Sequence, residues 1–350
     1  MDAEGLEAEL TALAEAQSFS GVVRIDGPGG PWFARAYGLA SPTWNVPCTL
    51  HTRFDTASIT KLFTAVATLQ QIEAGAFDLG TSVVEYLGLT GTRIAPAVNP
   101  YHLLTHTSGI GDDADEEAGE LYEDLFVDKP SYSITETEHF LPQFVHKPPN
   151  FAPGEGCRYC NVGYVLLGLM IEKATGASYR EYVTEHVFAP AGMGRAGFFR
   201  KDVVEPDVAE GVDPIVDADG HRTGWRRNLY AYPPIGSPDG GAHVTADDLM
   251  RFHAALRAGR LLGPDSTTAI LTPQVHYRDR PPGEHLTGYG FEFETGADGT
   301  VRSMWKEGIN VGASGMLRYY PRRELTVVVL SNMQDGAWEP LRIIDRLVEI

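Results

Sequence analysis

The segment Phe54-Asp55-Thr56-Ala57-Ser58-Ile59-Thr60-Lys61 holds the most informative residues of the chain. It opens a predicted helix over 57–74, in which apolar residues recur at helical spacing. Ser58 and Lys61 stand three residues apart on one helix face, so the amine of the lysine can reach the serine hydroxyl. A serine hydroxyl is a weak nucleophile until a neighbouring base takes its proton. The segment therefore predicts an activated serine at the start of a helix, where free N–H groups also favour an oxyanion.

Two further blocks lie far from this segment in the chain. Tyr159-Cys160-Asn161 stands just before an apolar helix predicted over 162–171, and Lys306-Glu307-Gly308 stands at the end of a predicted strand. Ser-x-x-Lys alone is common by chance. The occurrence of all three blocks in this order, beginning at 58, 159 and 306, is far more specific than any one block.

These blocks resemble the serine β-lactamase and penicillin-binding-protein superfamily. The resemblance is greatest to the branch of class C β-lactamases, D-alanyl-D-alanine carboxypeptidases and family VIII carboxylesterases. Leu103-Leu104-Thr105-His106-Thr107-Ser108-Gly109 is typical of that branch, and supporting motifs extend over nearly the whole chain, as far as Asn332. The implied fold is α+β, β-lactamase/transpeptidase-like, with an antiparallel sheet flanked by helices and a mostly helical region.

The resemblance implies a role for each matching residue. Ser58 would attack a carbonyl and become acylated, and Lys61 would help to remove its proton. Tyr159 would be the general base or its partner, and these two possibilities stay open. A tyrosine with an ordinary pKa of about 10 works near neutrality only beside cations, which Lys61 and Lys306 could supply.

The resemblance also implies substrate-binding groups. Asn161 would hydrogen-bond Lys61 or a substrate amide, and Lys306 would line the site from an edge strand, followed by Gly308 of the same motif. The backbone N–H groups of Ser58 and Ile309 would form the oxyanion hole. Lysine at the first position of the third block weakly favours substrates that carry an anion.

Other candidate sites are weaker. The spacing of Cys157 and Cys160 could suit zinc or a redox pair, but neither partner ligands nor a thioredoxin-like context is present, so a packed, reduced pair is expected. His102 and His106 lack the glutamate of a zinc-protease helix. His243 could line the cleft, but a structural or surface histidine is expected. We expect no metal and no cofactor. The acidic segment 112–124, with eight carboxylates, is a solvated loop or a mobile lid over the cleft.

The pattern of apolar residues separates the chain into two regions. A helix at 5–17 and a hairpin over 21–37 begin the chain, and four strands over 289–330 with a closing helix at 337–348 end it. The end strands are expected to join the first hairpin in one sheet. We therefore expect a discontinuous sheet domain, 1–78 and 236–350, with a mostly helical insertion at 79–235.

The composition limits the partners of the chain. It has 350 residues, three cysteines and a formal net charge of −19, which disfavours nucleic acid and anionic membranes. The sequence begins without a basic start and apolar core of the secretory type, so a cytoplasmic location is expected. The oligomeric state stays open.

Three functions follow from these residues. The first is a serine hydrolase that acts through an acyl-enzyme on a small ester or amide. The second is an acyltransferase that passes the same acyl group to an amine or alcohol other than water. The third is a catalytically silent ligand-binding protein on the same fold.

Overall fold

The computed structural model describes residues 3–348, whose strands are arranged around one large sheet. The strands are β1 (Gly21–Gly27), β2 (Gly30–Tyr37), β3 (Leu39–Ser41), β4 (Val46–Pro47), β5 (Phe54–Asp55), β6 (Val212–Val216), β7 (Arg222–Arg227), β8 (His243–Val244), β9 (Val275–Arg280), β10 (Gly283–Thr287), β11 (Glu292–Thr295), β12 (Val301–Asn310), β13 (Ala313–Tyr320) and β14 (Leu325–Ser331). Within the described range, eight of them form an antiparallel sheet in the order β2-β1-β14-β13-β12-β11-β10-β9.

This order confirms that the first hairpin and the last strands share one sheet, because β1 pairs with β14 from Gly21 opposite Ser331 onward. Strand β14 is buried along its whole length, as expected for a Val-rich central strand. The glycine-rich turn between Gly27 and Gly30 closes the β1–β2 hairpin, as the sequence predicts.

Helices cover both faces of the sheet. They are α1 (Ala3–Glu15), α2 (Lys61–Glu73), α3 (Val83–Leu87), α4 (Pro100–Leu104), α5 (Leu141–Phe144), α6 (Asn161–Thr175), α7 (Tyr179–Val183), α8 (Ala189–Ala191), α9 (Ala246–Arg257), α10 (Pro264–Ile270) and α11 (Trp338–Val348). Single 3₁₀ turns and one π-helical turn lie between them at Ala57–Thr60, Glu116–Ala118, Tyr122–Phe126, Ser131–Ser133, Thr137–Phe140, Thr184–Phe188 and Pro321–Arg323. No helix of the part that the structure describes could cross a membrane.

The alternation of side chains along β14 separates two cores. Val328 and Leu330 point into the larger core, which contains the apolar residues of α2, α6 and α9. Val327 and Val329 point to the opposite face, where α1 and α11 pack. The terminal helices therefore close one face, and the helices that bear the sequence motifs close the other.

Three details differ from the sequence prediction. The predicted helix over 57–74 begins as a 3₁₀ turn and becomes α2 at Lys61. The strand predicted at 289–293 begins later, at Glu292, because Gly290 adopts a positive φ of 84° in a turn. The sequence does not predict strands β9 and β10 or the hairpin β6–β7, because their mostly polar residues show no sustained apolar alternation.

Candidate active site

The backbone around Ser58 is held in an uncommon conformation. Ala57 has a φ of +43°, which few residues other than glycine adopt. Its N–H donates to Asp55 Oδ1 at 2.8 Å, and its carbonyl accepts from the Gly241 N–H at 3.3 Å. The strain at Ala57 is thus balanced by hydrogen bonds on both sides. The result is that Ser58, the next residue, lies at the head of α2 and lines the cleft.

Lys61 is fully buried and its Nζ has three oxygen neighbours. It contacts Ser58 Oγ at 3.0 Å, Asn161 Oδ1 at 2.8 Å and the Asp239 carbonyl oxygen at 2.5 Å. The amide oxygen and the carbonyl can only accept, so two N–H bonds of the amine are committed to them. Burial lowers the pKa of Lys61 to about 8, despite the opposing charge of Asp239. A neutral Lys61 would therefore direct its lone pair at the Ser58 hydroxyl.

Tyr159 reaches Ser58 from the other side, and its hydroxyl donates to Ser58 Oγ at 2.7 Å. Both expected cations are present, with the Nζ of Lys61 and of Lys306 at 5.0 and 4.9 Å from the ring centre. Burial nevertheless raises the pKa of Tyr159 well above its usual value, and the nearby Glu116 adds to the shift. The cations that a tyrosine base would need are thus beside the ring, while the burial of the phenol acts on its pKa in the opposite direction.

Asn161 is held at the start of α6 by Asp112. The Asp112 carboxylate accepts the backbone N–H of Asn161 at 2.8 Å and of Val162 at 3.0 Å, which satisfies the first donors of the helix. Burial raises the pKa of Asp112 to about 6. The Asn161 side chain donates to Glu116 Oε1 at 3.0 Å. This leaves its Oδ1 for Lys61, as the resemblance implies.

Lys306 lies inside β12, which pairs with β11 and β13 and continues to Asn310, so the expected edge strand and strand end are wrong. The side chain is 1% exposed and carries its own counter-ion. Its Nζ donates to Glu292 Oε1 at 2.9 Å, and Glu292 Oε2 lies 2.8 Å from His285 Nε2. Burial alone would raise the pKa of Glu292, but the charge of Lys306 and these hydrogen bonds hold it well below its usual range. Glu292 is therefore ionised at neutral pH, and the two charges form a buried ion pair.

Two cavities meet at Ser58. The first, of about 220 Å³, is lined by Tyr159, Lys306 and Glu292 among others. The second, of about 250 Å³, lies on the other side and is lined by Asn161, Asp239 and apolar residues. Ser58, Glu116 and Ile309 line both cavities. The serine hydroxyl thus faces room for a chemical group on either side of it.

Gly308 allows β12 to approach the nucleophile. A Cβ at this position would lie 2.1 Å from the Thr56 carbonyl oxygen and 3.0 Å from the Ser58 nitrogen. Only a residue without a side chain fits there. The next residue, Ile309, is 41% exposed and lines both cavities. The residues expected to supply the oxyanion hole are therefore neighbours in space.

The remaining sequence candidates make structural contacts, although His106 and Cys157 also line the first cavity. His106 accepts from the Cys160 N–H at 3.2 Å, and its ring packs on Tyr159 with centres 4.6 Å apart. Cys157 and Cys160 are free thiols that donate to the carbonyls of Thr105 and Ile110, respectively, as a packed pair would.

His243 is buried and does not line either cavity at Ser58. Two exposed groups have ligand-like spacing, Asp217 with Asp219 and His221, and His276 with Asp279 and Glu284. Neither group belongs to the residues that line the two cavities. They therefore have no contact with the chemistry at Ser58.

The acidic segment 112–124 is neither a simple solvated loop nor distant from the cleft. Asp112 and Asp113 are buried, whereas Glu116 and Glu117 line the first cavity. Glu117 accepts from the Tyr159 N–H at 3.1 Å and from the Tyr277 hydroxyl at 2.6 Å. The segment borders the site, and its mobility stays a prediction.

Sequence reasoning missed three contributors, Asp112, Glu292 and the carbonyl of Asp239. The buried carboxylates had no signal of their own in the sequence. Asp112 was counted within an acidic segment, and Glu292 belongs to no motif. Asp239 directly precedes Gly240-Gly241, a pair that does belong to the resemblance.

Comparisons with known proteins agree with this geometry. The family model described as Beta-lactamase matches residues 6–349. Esterase EstB of Burkholderia gladioli is 30% identical over 286 residues, which cover 74% of this chain and 72% of the esterase. Penicillin-binding protein 4* of Bacillus subtilis (strain 168) is 26% identical over 94% of this chain and 72% of its own.

Solved structures show the same fold. A penicillin binding protein from Bacillus halodurans superposes with a TM-score of 0.88 at 36% identity, covering 96% of this chain and 99% of that chain. D-amino acid amidase from Ochrobactrum anthropi SV3 superposes with a TM-score of 0.78 at 21% identity, covering 99% and 98%. The second likeness concerns the fold alone.

Proposed function

The chain belongs to the Beta-lactamase family and is a serine hydrolase, and we propose that it cleaves small esters or amides through an acyl-enzyme on Ser58. The observation that carries the proposal is the pair of contacts at Ser58 Oγ, with Lys61 Nζ at 3.0 Å and the Tyr159 hydroxyl at 2.7 Å. These place a base and a proton donor on one nucleophile, within the range that proton transfer requires.

In the acylation step, Ser58 Oγ attacks the substrate carbonyl and gives its proton to the neutral amine of Lys61. Neutral Lys61 is accessible because its pKa is lowered to about 8. Tyr159 is the weaker candidate for this base, because burial keeps its phenol protonated. The N–H groups of Ser58 and Ile309 stabilise the oxyanion, a contribution of about 3–4 kcal/mol per donor where one has been removed.

The tetrahedral intermediate then collapses and the leaving group departs with a proton. The Tyr159 hydroxyl supplies this proton, which leaves a phenolate beside the ammonium groups of Lys61 and Lys306. In deacylation, water adds to the acyl carbon and gives its proton to this phenolate, and Ser58 Oγ takes a proton from the Lys61 ammonium as it leaves. The balance is one ester or amide and one water converted into an acid and an alcohol or amine.

The dimensions of the cleft favour small substrates. Its two cavities measure about 220 and 250 Å³ and meet at Ser58, so together they fall at the lower end of the range of about 300–1,000 Å³ that is usual for small-molecule ligands. An acyl chain of a few carbons and a leaving group of one ring would fill them. The related protein EstB is named an esterase, which supports an ester as the substrate of this chain.

The covalent step can be tested by intact mass. A fluorophosphonate probe, which loses fluoride when a serine attacks phosphorus, should add once to the wild type and not to Ser58→Ala. Ser133→Ala is the matched control, because Ser133 is an exposed serine whose hydroxyl donates to the nearby Pro130 carbonyl at 2.7 Å and lines neither cavity. Turnover of p-nitrophenyl butyrate by wild type and control, but not by Ser58→Ala, completes the test. A folded wild type that gains no mass and releases no nitrophenol contradicts the proposal.

A second candidate is acyl transfer from the same acyl-enzyme. The observation that favours it is the second cavity beside Ser58, which could hold an acceptor amine or alcohol in place of water. Adding glycinamide or methanol to the p-nitrophenyl butyrate assay should then yield butyryl glycinamide or methyl butyrate at the expense of butyrate. A product ratio that ignores the acceptor excludes transfer.

A further inference from the structure

The charge of Lys306 is neutralised before any substrate arrives. Its ammonium is 2.9 Å from Glu292 Oε1, and the other carboxylate oxygen is engaged by His285 at 2.8 Å. Glu292 itself lines the first cavity beside Lys306. A substrate carboxylate that approached Lys306 would therefore meet an ion pair and not a free cation.

The other charges of the first cavity do not reverse this balance. Glu116, Glu117 and Glu307 line it together with Arg278. The Arg278 Nε donates to His285 Nδ1 at 3.3 Å, on the far side of the ring from Glu292. Glu117 is paired with Arg158 at 3.3 Å, and with this cation included the carboxylates next to Lys306 still outnumber the cations by four to three. A substrate carboxylate that enters this space would be repelled by these carboxylates, because like charges a few ångströms apart repel appreciably in a half-buried site.

We propose that Glu292 is the specificity-determining residue of the cleft: by occupying Lys306 it excludes substrates that carry a carboxylate and selects neutral or ammonium-bearing esters and amides. The inference rests on the proposed function and defines its substrate class. It reverses the expectation from sequence that Lys306 favours an anionic substrate. Glu292 acts here through Lys306 and through the charge that it presents to the cavity.

A matched pair of substrates tests the charge alone. Mono-p-nitrophenyl succinate and its methyl ester have the same acyl chain and leaving group and differ by one charge. We expect the wild type to hydrolyse the methyl ester with a kcat/KM larger by about tenfold or more. The same preference is expected when the carboxylate is moved to the leaving group, for phenyl butyrate over 3-carboxyphenyl butyrate.

The variant Glu292→Gln then assigns the preference to one residue. Glutamine keeps the shape and a hydrogen-bond acceptor for Lys306 but removes the negative charge. We expect the ratio of the two kcat/KM values to shift by about tenfold or more towards the succinate monoester. Glu294→Gln is the matched control, because Glu294 lies two residues further along β11 and does not line either cavity.

The outcomes separate the two proposals. If folded wild type hydrolyses neither p-nitrophenyl butyrate nor either succinate substrate, the proposed function fails and this inference fails with it. If it hydrolyses the butyrate but neither succinate, the inference alone is overturned. If both are hydrolysed and the charged one is equal or better, the inference alone is overturned. An unchanged ratio in folded Glu292→Gln would also overturn the role of Glu292. Should that variant not fold, the two wild-type substrate pairs decide the inference by themselves.

Discussion

Two buried lysines lie in the same cleft and have opposite surroundings. Lys61 contacts a hydroxyl, an amide oxygen and a backbone carbonyl, whereas Lys306 contacts the carboxylate of Glu292. Without a carboxylate in direct contact, burial lowers the pKa of Lys61 to about 8. Lys306 has an ionised partner, Glu292, which offsets the cost of burying its charge. The comparison shows that one residue type can supply a base or a fixed charge, according to what its ammonium touches.

The largest expected effect separates the two lysines directly. Lys61→Met should lower kcat for p-nitrophenyl butyrate by about 10²–10⁴-fold, because it removes the base that takes the Ser58 proton. Lys306→Met should lower it much less, because this lysine has no contact with Ser58 Oγ among the hydrogen bonds of the described residues. Steady-state kinetics on both variants checks this, with circular dichroism as the control for folding. Equal losses would mean that the two lysines do not have different roles.

The pH dependence of the reaction tests whether Lys61 is the base. The amine must be neutral to accept a proton, so kcat/KM should rise with pH and level off above about 8. At two pH units below this value the rate should be about 100-fold lower, because about 1% of the amine is then neutral. A profile on a neutral ester that is flat from pH 6 to 9 would contradict Lys61 as the base.

Removing the hydroxyl of Tyr159 tests the side chain that lies beside both lysines. Tyr159→Phe should lower kcat by about 10²-fold while the ring keeps its contacts with both ammoniums. Tyr179→Phe is the control, because its hydroxyl bonds Thr64 in the core and does not line either cavity. Near-normal turnover by Tyr159→Phe would exclude Tyr159 from proton transfer.

The smallest expected effect is on the stability that the ion pair of Lys306 and Glu292 gives to the fold. The pKa of Glu292 is lower in the folded than in the unfolded chain, so the ion pair stabilises the fold above the ordinary glutamate value of about 4.3. This stabilisation is lost as the pH falls through the folded-state pKa. Urea unfolding of wild type and Glu292→Gln should therefore differ most near pH 7, and the difference should shrink in acid. A difference that grows in acid would mean that Glu292 is not stabilised as an ion.

Most of the fold could be predicted from the sequence, because its central elements have strong apolar patterns. The helices at the motifs, the first hairpin and the last strands all bury one face or both. Strands β9 and β10 could not be predicted, because they are mostly polar strands at one end of the sheet, where β9 is the edge and β10 pairs with β11. The position of the nucleophile was readable as a motif. The strained φ at Ala57, the residue before it, could not be predicted, since one of the hydrogen bonds that hold it comes from Gly241, far away in the chain.

The sequence by itself determined which residues meet at Ser58, because the three blocks stand in an order that one fold brings together. It did not determine their charge states. The protonation of Tyr159 depends on how deeply the ring is buried, and the freedom of Lys306 depends on Glu292, fourteen residues away on the neighbouring strand. Such properties arise from desolvation and from contacts between separate elements, and only the tertiary structure decides them.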